Sequence, residues 1–405
     1  MKILVLNAGS SSLKSCLYEL AEPLPQTPPV PLWEGRLEWE EPFGNVRLRI
    51  KREGRQVMDE QPEMDSESAA ARYLLQTLWE GPASILEQPE DVDVVGHRIV
   101  HGGERYSAPT RVTSEVKREI RRLSALAPEH NAAEANGIET AEEIFKSRPQ
   151  VAVFDTAFHR TLPERAFVYP GPYAWYERGI RRYGFHGTSH RYCAGRTARI
   201  LGKDLESLRI VTCHLGHGCS LAAVRNGRSV DTTMGFTPLE GLMMGSRCGT
   251  VDPGILIHLL REEKYSADRL EKVLNRESGL LGVSGVSDDM RQILSAIAGG
   301  NQRARLAFDA FIHRMRQGIG AMIASLGGVD ALAFTGGIGE NSSEVRAAAC
   351  SGFEFLGLKL DRQKNGESPV DCDIASPDSS VRAVVVAARE EWEIAQECWR
   401  LAGSA

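Results

Sequence analysis

Four short stretches of this sequence carry side chains able to act on anions: His97-Arg98-Ile99-Val100-His101-Gly102-Gly103, Phe154-Asp155-Thr156, His186-Gly187-Thr188-Ser189-His190 and Gly245-Ser246-Arg247-Cys248-Gly249. Each polar residue follows an apolar run or sits beside small residues. Two arginines can clamp the equatorial oxygens of a phosphoryl group in flight, where catalysis is mostly positioning and charge stabilisation. Ordinary ion pairing is the plainer reading of either Arg taken alone. The two HxxxH spacings invite a zinc reading, but neither has the Glu of HExxH, and the adjacent glycines argue against a helix there.

Three Gly-rich turns accompany these residues. Asn7-Ala8-Gly9-Ser10-Ser11-Ser12-Leu13-Lys14 offers hydroxyls, backbone N–H groups and one cation, the makings of an anion nest, without the spacing of a Walker motif. His214-Leu215-Gly216-His217-Gly218 and Phe334-Thr335-Gly336-Gly337-Ile338-Gly339-Glu340-Asn341 each follow an apolar run. Their glycines let backbone approach a phosphate or a flat ligand. One such turn would be plain turn chemistry; three in one chain point to a nucleotide.

The elements that must hold these turns are strands. Ile3–Leu6 and Leu13–Tyr18 read as strands flanking the first turn, and Ile210–Cys213 and Leu221–Val224 flank the second, followed by an Asn226-Gly227 hairpin signal. The repeated strand, turn, strand unit suggests an internal duplication. Pro23, Pro25, Pro28, Pro29 and Pro31 mark an extended loop, and alternation resumes over Val46–Lys51. Helical periodicity covers Ser114–Leu126, Arg303–Leu326 and Glu390–Leu401, the second as a buried helix that includes Leu306, and a strand covers Val381–Val386. The expected fold is α/β, two similar lobes with the nucleotide in a cleft between them. The expected boundaries are 1–150 plus 390–405 for one lobe and 151–389 for the other.

Composition narrows the function. Across 405 residues, 48 Lys and Arg against 54 Asp and Glu give a net charge of −6, which argues against broad nucleic-acid binding. An apolar share of 42% with 25% charged residues is that of a globular chain with a real core. The 8 cysteines form no CxxC pair and read as reduced, mostly buried thiols. The start Met-Lys-Ile-Leu-Val-Leu-Asn is too short in apolar residues for a signal peptide, and no apolar run approaches bilayer length. A cytoplasmic protein without membrane or nucleic-acid partners is expected.

The runs LNAGSSSLK, HRIVHGG, FDTAFH, RRYGFHGTSHRY, DTTMGFTPLEGLMMGSR, FTGGIGENS and the acidic pair Glu390-Glu391, in this order from Lys2 to the final helix, resemble the acetate kinase family. That family shares its fold with sugar kinases, heat-shock ATPases and actin. The resemblance implies reversible transfer of the ATP γ-phosphoryl group to acetate, with propionate as a further acceptor, giving an acyl phosphate and ADP. It implies that Asn7 and Glu390 serve a Mg²⁺ site, with Mn²⁺ as an alternative, and that Lys14 meets the phosphates. It casts Arg98, Asp155, His186 and Arg247 as catalytic, and Arg98, Val100, Phe185 and Pro238 as substrate contacts. Nucleotide contacts fall on His214, Leu215, Gly216, His217 and Gly218, on Asp289, Met290 and Arg291, and on Gly337, Ile338, Gly339, Glu340 and Asn341. A homodimer formed through the second lobe is similarly implied.

The acceptor chemistry suits these residue types. A carboxylic acid with a pKa near ~4 is already ionised at neutral pH, so no strong base is needed. The obstacle is bringing an anion to an anionic phosphate, and Asp155 is better cast as an orienting group, through the metal or an Arg, than as a base. Five residues that depart from the family pattern stand out: Glu129 and Ala132 in Ala-Pro-Glu-His-Asn-Ala, His217, Thr250 after Arg247-Cys248-Gly249, and Arg389 before Glu390. Glu129 falls where the family has an apolar wall near the acyl methyl group. A kinase for a more polar carboxylate, and a nucleotide-binding regulator without transfer activity, are therefore the alternatives.

Overall fold

Four central strands are apolar on both faces, which is how strands buried between helix layers read. In the computed structural model, which describes residues 1–9, 12–40, 43–125, 131–367 and 369–403, these are β1 (Lys2–Ala8), β8 (Gln150–Phe154), β9 (Arg209–Leu215) and β12 (Ala331–Thr335). Ile3, Leu4, Val5, Ile210, Val211, Leu332 and Phe334 have no exposed surface. The flanking antiparallel strands instead alternate, as where one face meets solvent: Val46, Leu48 and Ile50 point inward and Arg47, Arg49 and Lys51 outward.

The chain divides into two units, each folded about its own sheet: Met1–Ala157 with Arg389–Ala405, and Phe158–Ala388. The first unit holds β2 (Ser12–Glu19), β3 (Trp33–Glu40), β4 (Gly44–Arg52), β5 (Arg55–Glu60), β6 (Val94–Ile99) and β7 (Thr110–Arg111) beside β1 and β8. Its sheet order is β5-β4-β3-β2-β1-β6-β8-β7. The second unit adds β10 (Cys219–Arg225), β11 (Arg228–Thr232), β13 (Cys372–Asp373) and β14 (Arg382–Val385) to β9 and β12, in the order β11-β10-β9-β12-β14-β13.

Five strands of each sheet correspond. β3-β2-β1 and β11-β10-β9 are antiparallel meanders, and the sheet then continues in parallel, β1 pairing with β6 and β6 with β8, as β9 pairs with β12 and β12 with β14. The duplication suggested by two similar turns is thus present in the topology. The Asn226-Gly227 turn has φ of 53° and 73°, the two left-handed residues a type I′ hairpin requires. The Pro-rich segment is the loop between β2 and β3.

Two expectations need correction. Leu306 is on the Gln302–Leu326 helix but 59% exposed, so that helix is buried along one face only. The Gly-flanked His186–His190 run is not outside helix: it opens the Gly187–Ile200 helix, with His186 at the N-cap in the left-handed region (φ 55°). A glycine at the first helical position costs little because the turn there is not yet propagating. All eight cysteines are free, six of them buried.

The helix Glu390–Gly403 packs on β1 and β6. Trp392 is fully enclosed and meets Tyr18 edge to face at 5.6 Å. A Cβ on Gly96 would lie 2.5 Å from Cys398 Sγ and 3.0 Å from Ile394 Cγ2, so only glycine admits this helix so close to the sheet. That close approach seats the start of the helix, Glu390 and Glu391, against the end of β1.

Candidate active site

In open α/β sheets, ligand-binding residues gather beyond the carboxyl ends of the parallel strands. In the first unit these ends carry Asn7, Arg98 and Asp155. Arg98 donates through Nε and Nη2 to Asp155 Oδ2 at 3.0 and 2.6 Å, and through Nη1 to Asn7 Oδ1 at 3.4 Å. Asn7 Nδ2 in turn donates to Glu390 Oε2 at 3.2 Å and Glu391 Oε1 at 2.9 Å. Burial works against the Arg98 charge, but Asp155 and Glu390 overcome it and keep the guanidinium firmly protonated. The carboxylate of Asp155, 1% exposed, is therefore occupied with orienting Arg98.

Lys14 lies opposite Asn7 in the β1–β2 register, with its side chain exposed. Gly9 N donates to Ser12 O at 2.7 Å and closes the hairpin; Ser10 and Ser11 lie outside the described residues. Val100, 3% exposed, begins the segment after β6. That segment is held by the Asn131–Phe145 helix: Asn131 Oδ1 accepts from His101 N at 3.1 Å, and Glu134 Oε2 accepts from Val100 N at 3.0 Å. The departure at Glu129 lies outside the described residues, as does His130.

In the second unit the same strand ends gather a histidine network. His186 Nδ1 and His190 Nε2 both reach Ser220 Oγ, at 2.8 and 2.7 Å, and His190 Nδ1 reaches Thr212 Oγ1 at 2.7 Å. The Thr212 hydroxyl donates to Ala222 O, so it accepts from His190 Nδ1–H. Burial keeps the His190 ring neutral, so its Nε2 accepts from Ser220 and the Ser220 oxygen accepts from His186 Nδ1–H. The chain of bonds fixes the His186 tautomer, with Nδ1 protonated. The His186 ring stacks on His214 at 4.2 Å, and Ser189 Oγ meets His214 Nδ1 at 2.7 Å.

Arg247 converges on the same point. A Cβ on Gly218 would lie 3.3 Å from His186 Cε1 and 3.5 Å from Arg247 Nη1. The turn His214–Gly218 therefore runs directly beside His186 and Arg247, and is closed by Gly216 N donating to Gly218 O at 3.0 Å. Arg247 Nη1 also donates to Pro238 O at 3.4 Å. Phe185 is enclosed, 1% exposed, and its carbonyl accepts from His159 Nε2.

The remaining segments are set by caps. Asp289 caps the Met290–Ala298 helix, accepting from Arg291 N at 2.8 Å, while the Arg291 side chain folds back onto it. The Gly-rich run after β12 is itself helical, Gly336–Asn341. Glu340 Oε1 accepts from Gly336 N and Ala388 N, both at 3.0 Å, and Asn341 Nδ2 donates to Gly337 O. Two of the departures now have structural accounts. His217 Nε2 pairs with Asp288 at 3.1 Å, and Thr250 ties down Gly241 through both its hydroxyl and its N–H. Arg389 supplies the carbonyl that accepts from Glu393 N in the last helix; nothing in the structure explains Ala132.

Sequence patterning did not single out Ser220, Thr212 or Glu134 for the site. Glu134 was visible in principle: Asn131, Glu134, Ala135, Ile138, Ala141 and Phe145 recur at helical spacing on one buried face.

Among the described residues, no three His, Cys, Asp or Glu side chains gather to hold a metal, and no helix is long and apolar enough to cross a membrane. The donors around Asn7 and Glu390 do fit Mg²⁺, which binds through one or two carboxylates and takes its other oxygens from phosphate and water.

The acetokinase family model matches residues 2–396. An acetate kinase of Cyanothece sp. is 57% identical over 401 residues, covering 99% of this chain and 98% of that protein. One from Gloeobacter violaceus is 56% identical, covering 99% of each. The crystal structure of Porphyromonas gingivalis acetate kinase matches at 40% identity with a TM-score of 0.87, covering 99% of both chains. A propionate kinase from Francisella tularensis matches at 37% identity with a TM-score of 0.88, covering 98% of this chain and 99% of that one. With the fold and its length shared in full with these kinases, the chain belongs to the acetokinase family.

Proposed function

We propose that this chain transfers the γ-phosphoryl group of ATP directly and reversibly to acetate, and also to propionate, forming an acyl phosphate and ADP. Within the family, the observation that carries this reading is the pair of positioned cations. Arg98 is held rigidly by Asp155, and Arg247 is set beside a His186 of fixed tautomer.

Arg98 holds the acceptor carboxylate, and Val100, Phe185 and Pro238 are the apolar residues assigned to the acceptor. The acceptor arrives ionised, so Asp155 removes no proton from it; it keeps the guanidinium aimed. Arg247 and His186 oppose the charge on the phosphoryl oxygens as bonds to the leaving and attacking oxygens exchange. Lys14 meets the phosphates, and residues 214–218, 289–291 and 337–341 contact the nucleotide. Asn7 and Glu390 would hold Mg²⁺, or Mn²⁺, which when bound neutralises phosphate charge.

The test is hydroxamate trapping with ATP, Mg²⁺ and a panel of acetate, propionate, lactate and glycolate. Hydroxamate from acetate and propionate is expected; product only from the hydroxylated acids, or from none, would overturn the reading.

A homodimer also fits. The Pro253–Arg261 helix has no buried residue, and Ile255, Ile257 and Leu260 on it are 49%, 50% and 43% exposed. Apolar groups clustered this way commonly mark an association surface. Sedimentation should give twice the chain mass, falling to the monomer in Ile257→Glu; an unchanged mass in that variant would remove this helix from the interface. Dependence on ATP and eight free thiols suit a reducing cytoplasm.

A further inference from the structure

Behind Arg98 lies a second carboxyl group that this mechanism does not use. Glu134 is 2% exposed. Its Oε2 accepts the Val100 N–H at 3.0 Å, while Oε1 has no hydrogen-bond partner among the described residues. Glu134 and Arg98 line one small cavity of about 20 Å³, whose other walls include Leu6, Leu13, Leu75 and Ala71. An ionised carboxylate there would leave one oxygen against hydrocarbon, which favours the neutral acid. Burial pushes the Glu134 carboxyl up to about 8, with Asp155 adding to the rise and Arg98 and the Val100 N–H opposing it.

Among the described residues, the other charges around this helix are spoken for. On β6, His97 is neutral, drawn down to about 4 by burial, and bonds Gln150. His101 Nδ1 accepts from Gly103 N. On the Ser114–Arg122 helix, Lys117 and Arg121 pair with Glu142 and Glu139, and on the Glu67–Gln76 helix Arg72 pairs with Glu143, all further along the Asn131–Phe145 helix than Glu134. Lys146, just past that helix, faces Glu90. Arg98 and Asp155 are the charges that Glu134 acts on.

We propose that Glu134 is a positioning residue for the carboxylate acceptor: as a neutral acid it fixes the Val100 amide and leaves Arg98 with Asp155 as its one close counter-charge on this side, and on ionising it weakens the hold of Arg98 on the acceptor anion. This rests on the assignment of Arg98 and Val100 to the acceptor. A third carboxylate behind the guanidinium lowers the positive potential at the acceptor site without touching the acceptor itself. Acetate is fully ionised throughout the neutral and alkaline range, so its own titration does not contribute.

The test is the pH dependence of KM for acetate, with KM for ATP as the control. Between about pH 7 and 9 the KM for acetate should rise roughly 3- to 10-fold in the native enzyme, with little change in the KM for ATP. Glu134→Gln retains an oxygen for the Val100 N–H and cannot ionise. It should keep kcat within about threefold at pH 7 and lose the alkaline rise. A rise of equal size in Glu134→Gln would overturn the proposal. So would a flat profile in the native enzyme, which needs no variant to fold. Failure of the functional reading would be separate, since it would show as no acyl phosphate from acetate at any pH.

Discussion

Arg98→Ala should lose about 10²-fold or more in kcat and should also unfold at a lower temperature than the native enzyme. The catalytic loss follows from removing a preorganised charge donor. The stability loss follows from its partner: Asp155 stays behind, 1% exposed, without the guanidinium that compensates its charge. Breaking one side of a buried ion pair in this way costs about 3–5 kcal/mol. Arg247→Ala should show a kcat loss of the same order, since it removes the second preorganised charge donor. Steady-state turnover and thermal melts on both variants separate the two effects. Near-normal turnover in either would remove that Arg from the mechanism, and an unchanged melting temperature for Arg98→Ala would show that the pair with Asp155 carries no net stability.

Arg346→Leu should destabilise the protein by about 3 kcal/mol or more and weaken nucleotide binding. Arg346 has no exposed surface. Its guanidinium donates to Gly339 O at 2.9 Å, Glu340 O at 2.8 Å, Asn365 Oδ1 at 2.8 Å and Asn365 O at 2.9 Å. Two of these carbonyls belong to the Gly336–Asn341 helix assigned to the nucleotide. Leucine would leave them buried without a donor, each at a cost of about 1–3 kcal/mol before relaxation. KM for ATP should rise about tenfold while KM for acetate changes little, because the disturbed segment is the one assigned to the nucleotide. A melt with and without ADP checks both parts, since a ligand that binds only the folded state raises its melting temperature. Loss of stability with unchanged ATP affinity would reduce Arg346 to a purely structural anchor.

The strands and their turns were legible because short-range patterning determines them. Continuous apolar runs such as Ile3–Leu6 marked the central strands, alternation over Val46–Lys51 marked a half-exposed one, and Asn226-Gly227 marked a hairpin that needs two left-handed residues. The Gly-rich turns were legible for the same reason, since backbone freedom is written in residue type. The Gly187 and Gly336 helices were not, because glycine's low helix propensity argues against helix, and neighbouring packing overrode it.

The sequence by itself determined the family, the main strands with their Gly-rich turns and the identity of the charged groups. Tertiary structure decided what each charged group does. Arg98, Asp155, Asn7 and Glu390 come from positions up to 383 residues apart, and no local pattern says that Asp155 would spend its carboxylate on Arg98. The tautomer of His186 depends on Ser220, His190 and Thr212, which only the pairing of β9 with β10 and the packing of a helix against them bring into line. The same holds for Glu134, whose residue type suggests a surface position. What makes it a neutral acid is the low-dielectric space behind Arg98, and burial of that kind exists only once the helix has docked on the sheet.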